Sequence, residues 1–236
     1  MFHSRDAGEV DAADVAPPRS APEIFLPPSG PARPPLDASR VLDIVIASLA
    51  IIFTSPLLLV LTALVWSKDG GPPIFSHERI GYGGRRFKCL KFRSMVMDAE
   101  ARLNALLESD PEARREWVAD HKLRADPRIT PLGRFLRTSS LDELPQLFNI
   151  LLGDMSVVGP RPIVQAEVCR YGRFFSHYCS VRPGLTGLWQ TNGRNNTSYR
   201  ARVAYDVIYA RRKSIAMDVA IIFKTVPAVV MRRGCF

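Results

Sequence analysis

Residues 44–66 read IVIASLAIIFTSPLLLVLTALVW, twenty-three positions without a charge. At about 1.5 Å per residue a straight helix of that length reaches ~35 Å, enough to cross a hydrocarbon core about 30 Å thick. A single-pass anchor satisfies the length, but two features favour another path. Ser55-Pro56 falls at the middle of the run, where proline withholds a backbone N–H and kinks a helix. There Ser55 can offer its hydroxyl to a carbonyl that Pro56 frees. Basic residues also flank both ends, Arg33 and Arg40 before, then Lys68, Arg79 and five more up to Arg93. The positive-inside rule keeps both such flanks in the cytoplasm. A helix that enters, breaks near mid-depth and returns, with arms of ~18 Å, meets both constraints.

Before this run the chain is proline-rich. Residues 1–40 hold eight of the nineteen prolines and little that could build a core, so they read as a disordered tail. The apolar run comes too late for a signal peptide, and no small-residue cleavage site follows it. Charge divides at the same place. Residues 1–40 carry four arginines against six acids, leaving 28 basic and 17 acidic residues beyond them. A basic body attracts polyanions, whether nucleic acid, anionic lipid or nucleotide phosphate. No RNA-binding aromatic motif or zinc finger accompanies the charge, so nucleic acid is not expected as a partner. Cys89, Cys169, Cys179 and Cys235 form no CxxC, and His3, His77, His121 and His177 show no HxxH or HxxxH spacing. Free thiols in a reducing compartment follow, with no zinc site or disulfide framework.

After the run, Ile74–Ile80 and Phe87–Phe92 flank the glycine cluster at Gly81-Tyr-Gly-Gly84 and read as a β-hairpin. The cluster lacks GxGxxG spacing and a following helix, so it is a turn and no dinucleotide loop. Met97–Glu108 and Glu112–His121 read as charged surface helices. Thr130-Pro131 has the N-cap and N1 pattern of a further short helix. Ile215–Met231 is apolar apart from Asp218 and Lys224 and is interrupted by Pro227, which suits a helix lying in a membrane interface or packed under the domain.

The chemistry concentrates in residues 138–162, TSSLDELPQLFNILLGDMSVVGPRP. Ser140-Leu-Asp-Glu143 matches a capping box, and acids in a first turn suit the helix dipole. Pro145 is tolerated only in a first turn, which places the helix start near Asp142 with that carboxylate at an exposed end. Gly153 is the expected stop. The same N-terminus can receive a phosphate, and Asp carboxylates serve as phosphoryl-accepting nucleophiles. Cap and nucleophile are both open on this pattern alone. Arg161, between two prolines, presents a rigid guanidinium fork suited to phosphate or carboxylate. Arg182 precedes a similar Pro-Gly turn, and Lys91 and Arg93 share a strand face if Phe87–Phe92 is a strand.

The ordered series Ser55-Pro56, Lys91-Phe-Arg-Ser-Met95, the 138–162 string, Arg182–Gln190 and Asn192-Gly-Arg194 resembles the bacterial sugar transferases of the monotopic phosphoglycosyl transferase superfamily. The resemblance covers residues 37–236. Arg-Tyr-Gly172 and Arg232-Arg-Gly234 are similar to the small exopolysaccharide-initiating members. Two details depart from the common pattern: Thr138-Ser-Ser140 stands where Lys-Thr-Ser is frequent, and Ile163-Val-Gln follows the PRP loop.

The resemblance implies an α+β, mostly α-helical fold with a small β-hairpin and interfacial amphipathic helices. Residues 1–37 form a proline-rich tail outside the family core; the resemblance implies a membrane re-entrant helix over 38–67 broken at Ser55-Pro56, and a catalytic domain over 68–236 with an interfacial C-terminal helix, facing the cytoplasm at the bacterial inner membrane. Asp142 would attack a UDP-hexose, galactose or glucose, with Mg²⁺ neutralising the phosphates and Asp142 as its ligand. The sugar phosphate would then pass to undecaprenyl phosphate. Glu143 would be the partner acid, and Lys91, Arg137, Arg161 and Arg182 would hold phosphate or nucleotide. Homo-oligomerisation is left open. The alternative is a non-catalytic membrane-anchored adaptor of a polysaccharide assembly complex.

Overall fold

The computed structural model describes residues 36–120, 123, 125–192 and 197–230. The tail before Leu36, His121, Arg194 and the terminal segment from Met231 lie outside the described residues. The architecture is mostly helical with two small sheets, in agreement with the expected class.

Helix α1, Ala38–Trp66, is capped by Asp37, whose side chain accepts from the Arg40 N–H at 2.8 Å. It runs through Pro56 as one helix, so the break expected at Ser55-Pro56 does not interrupt it: the lost backbone bond is compensated locally. Proline at 56 leaves the Ile52 carbonyl without its usual donor, and the Ser55 hydroxyl donates to that oxygen at 2.9 Å. This is the compensation expected from the Ser-Pro pair.

Both ends of α1 are fastened to one body. Near its start, Arg40 donates to the carbonyls of Ile150 at 2.6 Å and Leu151 at 3.0 Å, completing the end of a helix that needs acceptors satisfied. Asp43 accepts from Ser156 Oγ at 2.9 Å and from the Val157 N–H at 2.8 Å, and Ser39 donates to Asp218 at 3.3 Å. Near its other end, Leu61 and Val65 join Phe92 and Leu136 in a separate apolar cluster. Between these anchors the helix is bare: Ile52 is 69% and Phe53 87% exposed. The helix is long and apolar enough to cross a membrane by length and composition.

Strands β1 (Ile74–Ile80) and β2 (Arg86–Phe92) form the expected hairpin, with Ile74 opposite Phe92 and Ile80 opposite Arg86. The turn between them needs two left-handed residues, Gly83 and Gly84, at φ 64° and 75°. Helices α2 (Ala99–Ser109) and α3 (Pro111–Asp120) are the charged pair, starting and ending within two residues of the expected bounds. In α4 (Pro131–Thr138), Thr130 Oγ1 accepts from the Gly133 N–H at 2.9 Å with Pro131 in the first turn, as its sequence pattern requires.

Helix α5 (Gln146–Leu152) ends at Gly153 with φ 90°, the stop expected there. A three-residue strand, β3 (Ser156–Val158), pairs in parallel with β4 (Gly184–Thr186). Short helices α6 (Val168–Tyr171) and α7 (Phe175–Cys179) lie between them. Helices α8 (Leu188–Asn192), α9 (Tyr199–Arg212) and α10 (Ile215–Val230) are the last among the described residues. The largest core gathers Ala47, Ile150, Met155, Val158, Tyr209 and Ile221, so α1, α5, β3, α9 and α10 share one interior.

Candidate functional site

Asp142 and Glu143 lie in a 3-10 turn, Leu141–Glu143, which precedes α5. Pro145 then occupies the N-cap position of α5, where its missing N–H costs nothing. Two expectations need correction. Ser140 is left-handed at φ 58° and makes no capping hydrogen bond, so the capping box does not form. Asp142 is 8% exposed rather than projecting from an open helix end. Tertiary contacts explain both: Lys91 on β2 takes the Glu143 carboxylate that a capping box would use.

The Lys91 ammonium lies 2.6 Å from Glu143 Oε1 and 3.7 Å from Asp142 Oδ2. Burial and the neighbouring Glu143 charge raise the Asp142 carboxyl above the usual aspartate range, outweighing the pull of Lys91 and Arg137. Glu143 goes the other way. Burial acts to raise it, but Lys91 and Arg161 prevail and hold it below the ordinary glutamate range. Adjacent carboxylates are thus driven apart in acidity, a pattern found where such pairs take different chemical roles.

Arg137 comes from the last turn of α4 and donates Nε to Ser94 Oγ at 2.8 Å. Arg161 is exposed on the loop after β3. With Lys91, Asp142 and Glu143 they line a cleft of about 1270 Å³, whose apolar lining includes Leu144, Val157, Trp189 and Ile222. A cleft of that volume exceeds what a typical small-molecule site needs, and its lining offers both charged and apolar surface.

The loops carrying Arg161 and Arg182 are bound to each other through β3 and β4. The Gly159 N–H donates to Thr186 O at 2.9 Å, and the Gly184 N–H to Pro160 O at 2.8 Å. Arg182, however, lines no part of the cleft. Its side chain is 6% exposed and donates Nε to the Gly153 carbonyl at 3.1 Å, so it ties this loop to the end of α5. Arg93 lies just beyond the end of β2, lines the same cleft as Lys91 and pairs with Asp69. Ser55 and Pro56 belong to the middle of α1 and line no part of the cleft.

Four cleft or supporting residues were not singled out from the sequence. Arg79 and Gln190 line the cleft, and Ser94 orients Arg137. Asn149, 1% exposed, holds α5 against β2: its Oδ1 accepts from the Leu90 N–H at 2.9 Å and its Nδ2 donates to Lys88 O at 2.8 Å. Arg79 and Gln190 carry only position as a signal, one at the end of β1 and the other closing the Arg182–Gln190 motif.

As a donor set for a metal, the acid pair offers hard carboxylate oxygens but no complete cage. Among the described residues no group of three or more His, Cys, Asp or Glu side chains gathers in metal-binding range. That set fits Mg²⁺, which commonly takes one or two carboxylates and completes its shell with substrate phosphates and water.

Residues 36–232 match the family described as bacterial sugar transferase. An uncharacterized sugar transferase of Haemophilus influenzae is 53% identical over 197 residues, covering 84% of this chain and 42% of that protein. The undecaprenyl-phosphate galactose phosphotransferase of Salmonella typhimurium is 50% identical over 84% of this chain and 41% of its own length. The chain therefore spans about two fifths of these relatives. The exopolysaccharide production protein ExoY of Rhizobium meliloti is 48% identical over 90% of this chain and 95% of its own length. With the family pattern matched from Leu36 into the terminal segment, this chain belongs to the bacterial sugar transferase family.

Proposed function

We propose that the protein transfers hexose 1-phosphate from UDP-galactose or UDP-glucose to undecaprenyl phosphate, through a phosphosugar carried on Asp142. The observation that carries this reading is the split acid pair: Lys91 bridges Asp142 and Glu143, and all three line with Arg137 and Arg161 a cleft that also offers apolar surface. The relatives named for undecaprenyl-phosphate sugar transfer support it.

In the first step an Asp142 carboxylate oxygen bonds to the β-phosphorus of the UDP-sugar. The bond from that phosphorus to the bridging oxygen breaks, and UMP leaves with the electron pair. In the second, an oxygen of undecaprenyl phosphate attacks the same phosphorus and the Asp142 carboxylate departs. Two displacements on one carboxylate let a water-soluble donor and a lipid acceptor react in turn. Lys91, Arg137 and Arg161 balance the phosphate charge in a partly desolvated site, where such pairs act most strongly. Glu143 fixes Lys91. Asp142 and Glu143 would hold Mg²⁺, which when bound supplies further neutralisation of phosphate charge.

Incubation with UDP-hexose labelled in the sugar, without lipid, is expected to leave label on the protein and release an equivalent amount of UMP. Peptide mapping should place the label on Asp142. Transfer to lipid with no labelled protein and no UMP release before the acceptor is added would rule out the aspartyl route.

The reading includes a re-entrant α1 at the bacterial inner membrane, with the remaining body on the cytoplasmic side. Its support is that both ends of the helix pack on a single body while the apolar middle stays bare. A spanning helix about 43 Å long would instead part its ends across the bilayer. Leu36→Cys and Lys68→Cys are both expected to resist a membrane-impermeant maleimide in intact cells and to react once the inner membrane is opened. Reaction of one position alone from the periplasm would establish a spanning helix.

A further inference from the structure

Beside the cleft lies a pit of about 20 Å³, walled by Arg79, Lys91, Glu143, Arg161 and Gln190 among others. That is room for roughly one water-sized atom. Three of those side chains are cations and one is an anion, and the anion is engaged by Lys91 at 2.6 Å. Arg79 is 19% exposed in its side chain and reaches the pit from the end of β1. Its neighbours offset its charge poorly: Nη1 donates to Pro162 O at 3.3 Å, and the Glu167 carboxylate stands 3.9 Å away. Glu167 is itself occupied in accepting from the Val164 N–H at 3.0 Å. Burial first, then the like charge of Arg161, lowers the pKa of the Arg79 guanidinium, which marks two cations held close together. Two guanidinium forks converging on a space for one oxygen suit a phosphate, which such forks bind in a bidentate manner.

The pit touches Glu143 and Lys91 but not Asp142. An oxygen seated there therefore belongs to a group one step removed from the phosphorus that Asp142 attacks. Resting on the proposed reaction, we propose that Arg79 and Arg161 form a seat for a phosphate monoester, occupied by the departing UMP and then by the incoming lipid phosphate. The two displacements run in opposite directions through one phosphorus, so the leaving group of the first and the nucleophile of the second need the same place and the same counter-charge. Arg79 is assigned here as a substrate-binding residue, in addition to its contacts with Pro162 and Glu167.

UMP and uridine, used as inhibitors of transfer from UDP-galactose, separate a phosphate contact from a structural one. Wild type is expected to prefer UMP, and Arg79→Gln to lose about tenfold of that preference, as for removal of one charged hydrogen-bond partner. Arg79→Lys keeps the charge without the fork and is expected to lie between the two; it also serves if Arg79→Gln does not fold. In both variants the KM for undecaprenyl phosphate should rise in step. An unchanged ratio of UMP to uridine inhibition in a folded variant overturns the seat, whatever happens to turnover. A reduced ratio with an unmoved lipid KM overturns its shared use. If wild type prefers UMP but Asp142 never carries label, the aspartyl reading fails while the anion seat stands on the inhibition ratio alone.

Discussion

Asp142→Asn is expected to lower transfer to undecaprenyl phosphate by three or more orders of magnitude, on the order seen when an attacking side chain is removed. The substitution is nearly isosteric and removes a buried charge, so the fold should survive it. Its effect on stability has a definite sign. Burial raises the folded-state pKa of Asp142 above its value of 3.8 in an unfolded chain. The group's favourable contribution is therefore complete below that unfolded value and is lost as pH rises through the raised folded one. At neutral pH the neutral asparagine should melt no lower than wild type. Loss of transfer together with an undiminished melting temperature separates chemistry from unfolding. Equal transfer by the two proteins would end the catalytic assignment and leave the adaptor reading.

The same carboxyl sets an acid limb. Attack needs the ionised form, so protein labelling by UDP-hexose should fall as pH drops through the Asp142 value, which lies above the ordinary aspartate range. Lys91 acts to lower that value, so Lys91→Met is expected to move the limb to higher pH. A limb that stays where it is would show that Lys91 does not govern the ionisation of Asp142.

Gly184→Ala should disrupt the packing of β3 against β4. A methyl there would overlap the backbone nitrogen of Gly159 and stand 2.6 Å from its Cα. Neither neighbour is a flexible side chain, so β3 and β4 must separate. Overpacking of this kind costs about 3 kcal/mol. The loss should also reach function, because the Gly159 and Gly184 backbones join the loop of Arg161 to the loop of Arg182. Transfer is expected to drop about a hundredfold through misplacement of Arg161, with a lower melting temperature. Wild-type stability and activity would mean that the two strands are not packed this closely.

Elements set by local chemistry were legible in the chain. The hairpin, the Thr130-Pro131 start of α4, the Gly153 stop and the Ser55 bond across Pro56 each follow from a residue's own backbone preference. Elements set by distant partners were not. Ser140-x-x-Glu143 has the letters of a capping box, but a lysine fifty-two positions earlier in the chain takes the glutamate. Arg182 has the same Arg-Pro context as Arg161, yet a helix end captures it. The parallel pair β3–β4 has three residues on each side, too short for any periodicity to register. Of the expected site, Asp142, Glu143, Lys91, Arg137 and Arg161 converge on one cleft.

The buried amide of Asn149 has a consequence beyond holding a helix. Its two bonds to Lys88 O and the Leu90 N–H copy what a third strand would make with the free edge of β2. A two-stranded ribbon ordinarily leaves such an edge open to other chains, a route to aggregation that proteins block in various ways. Here one side chain does the blocking, at the middle of the strand and beside Lys91. The residue that seats the helix behind the acid pair also denies neighbouring copies a place to zip onto the ribbon.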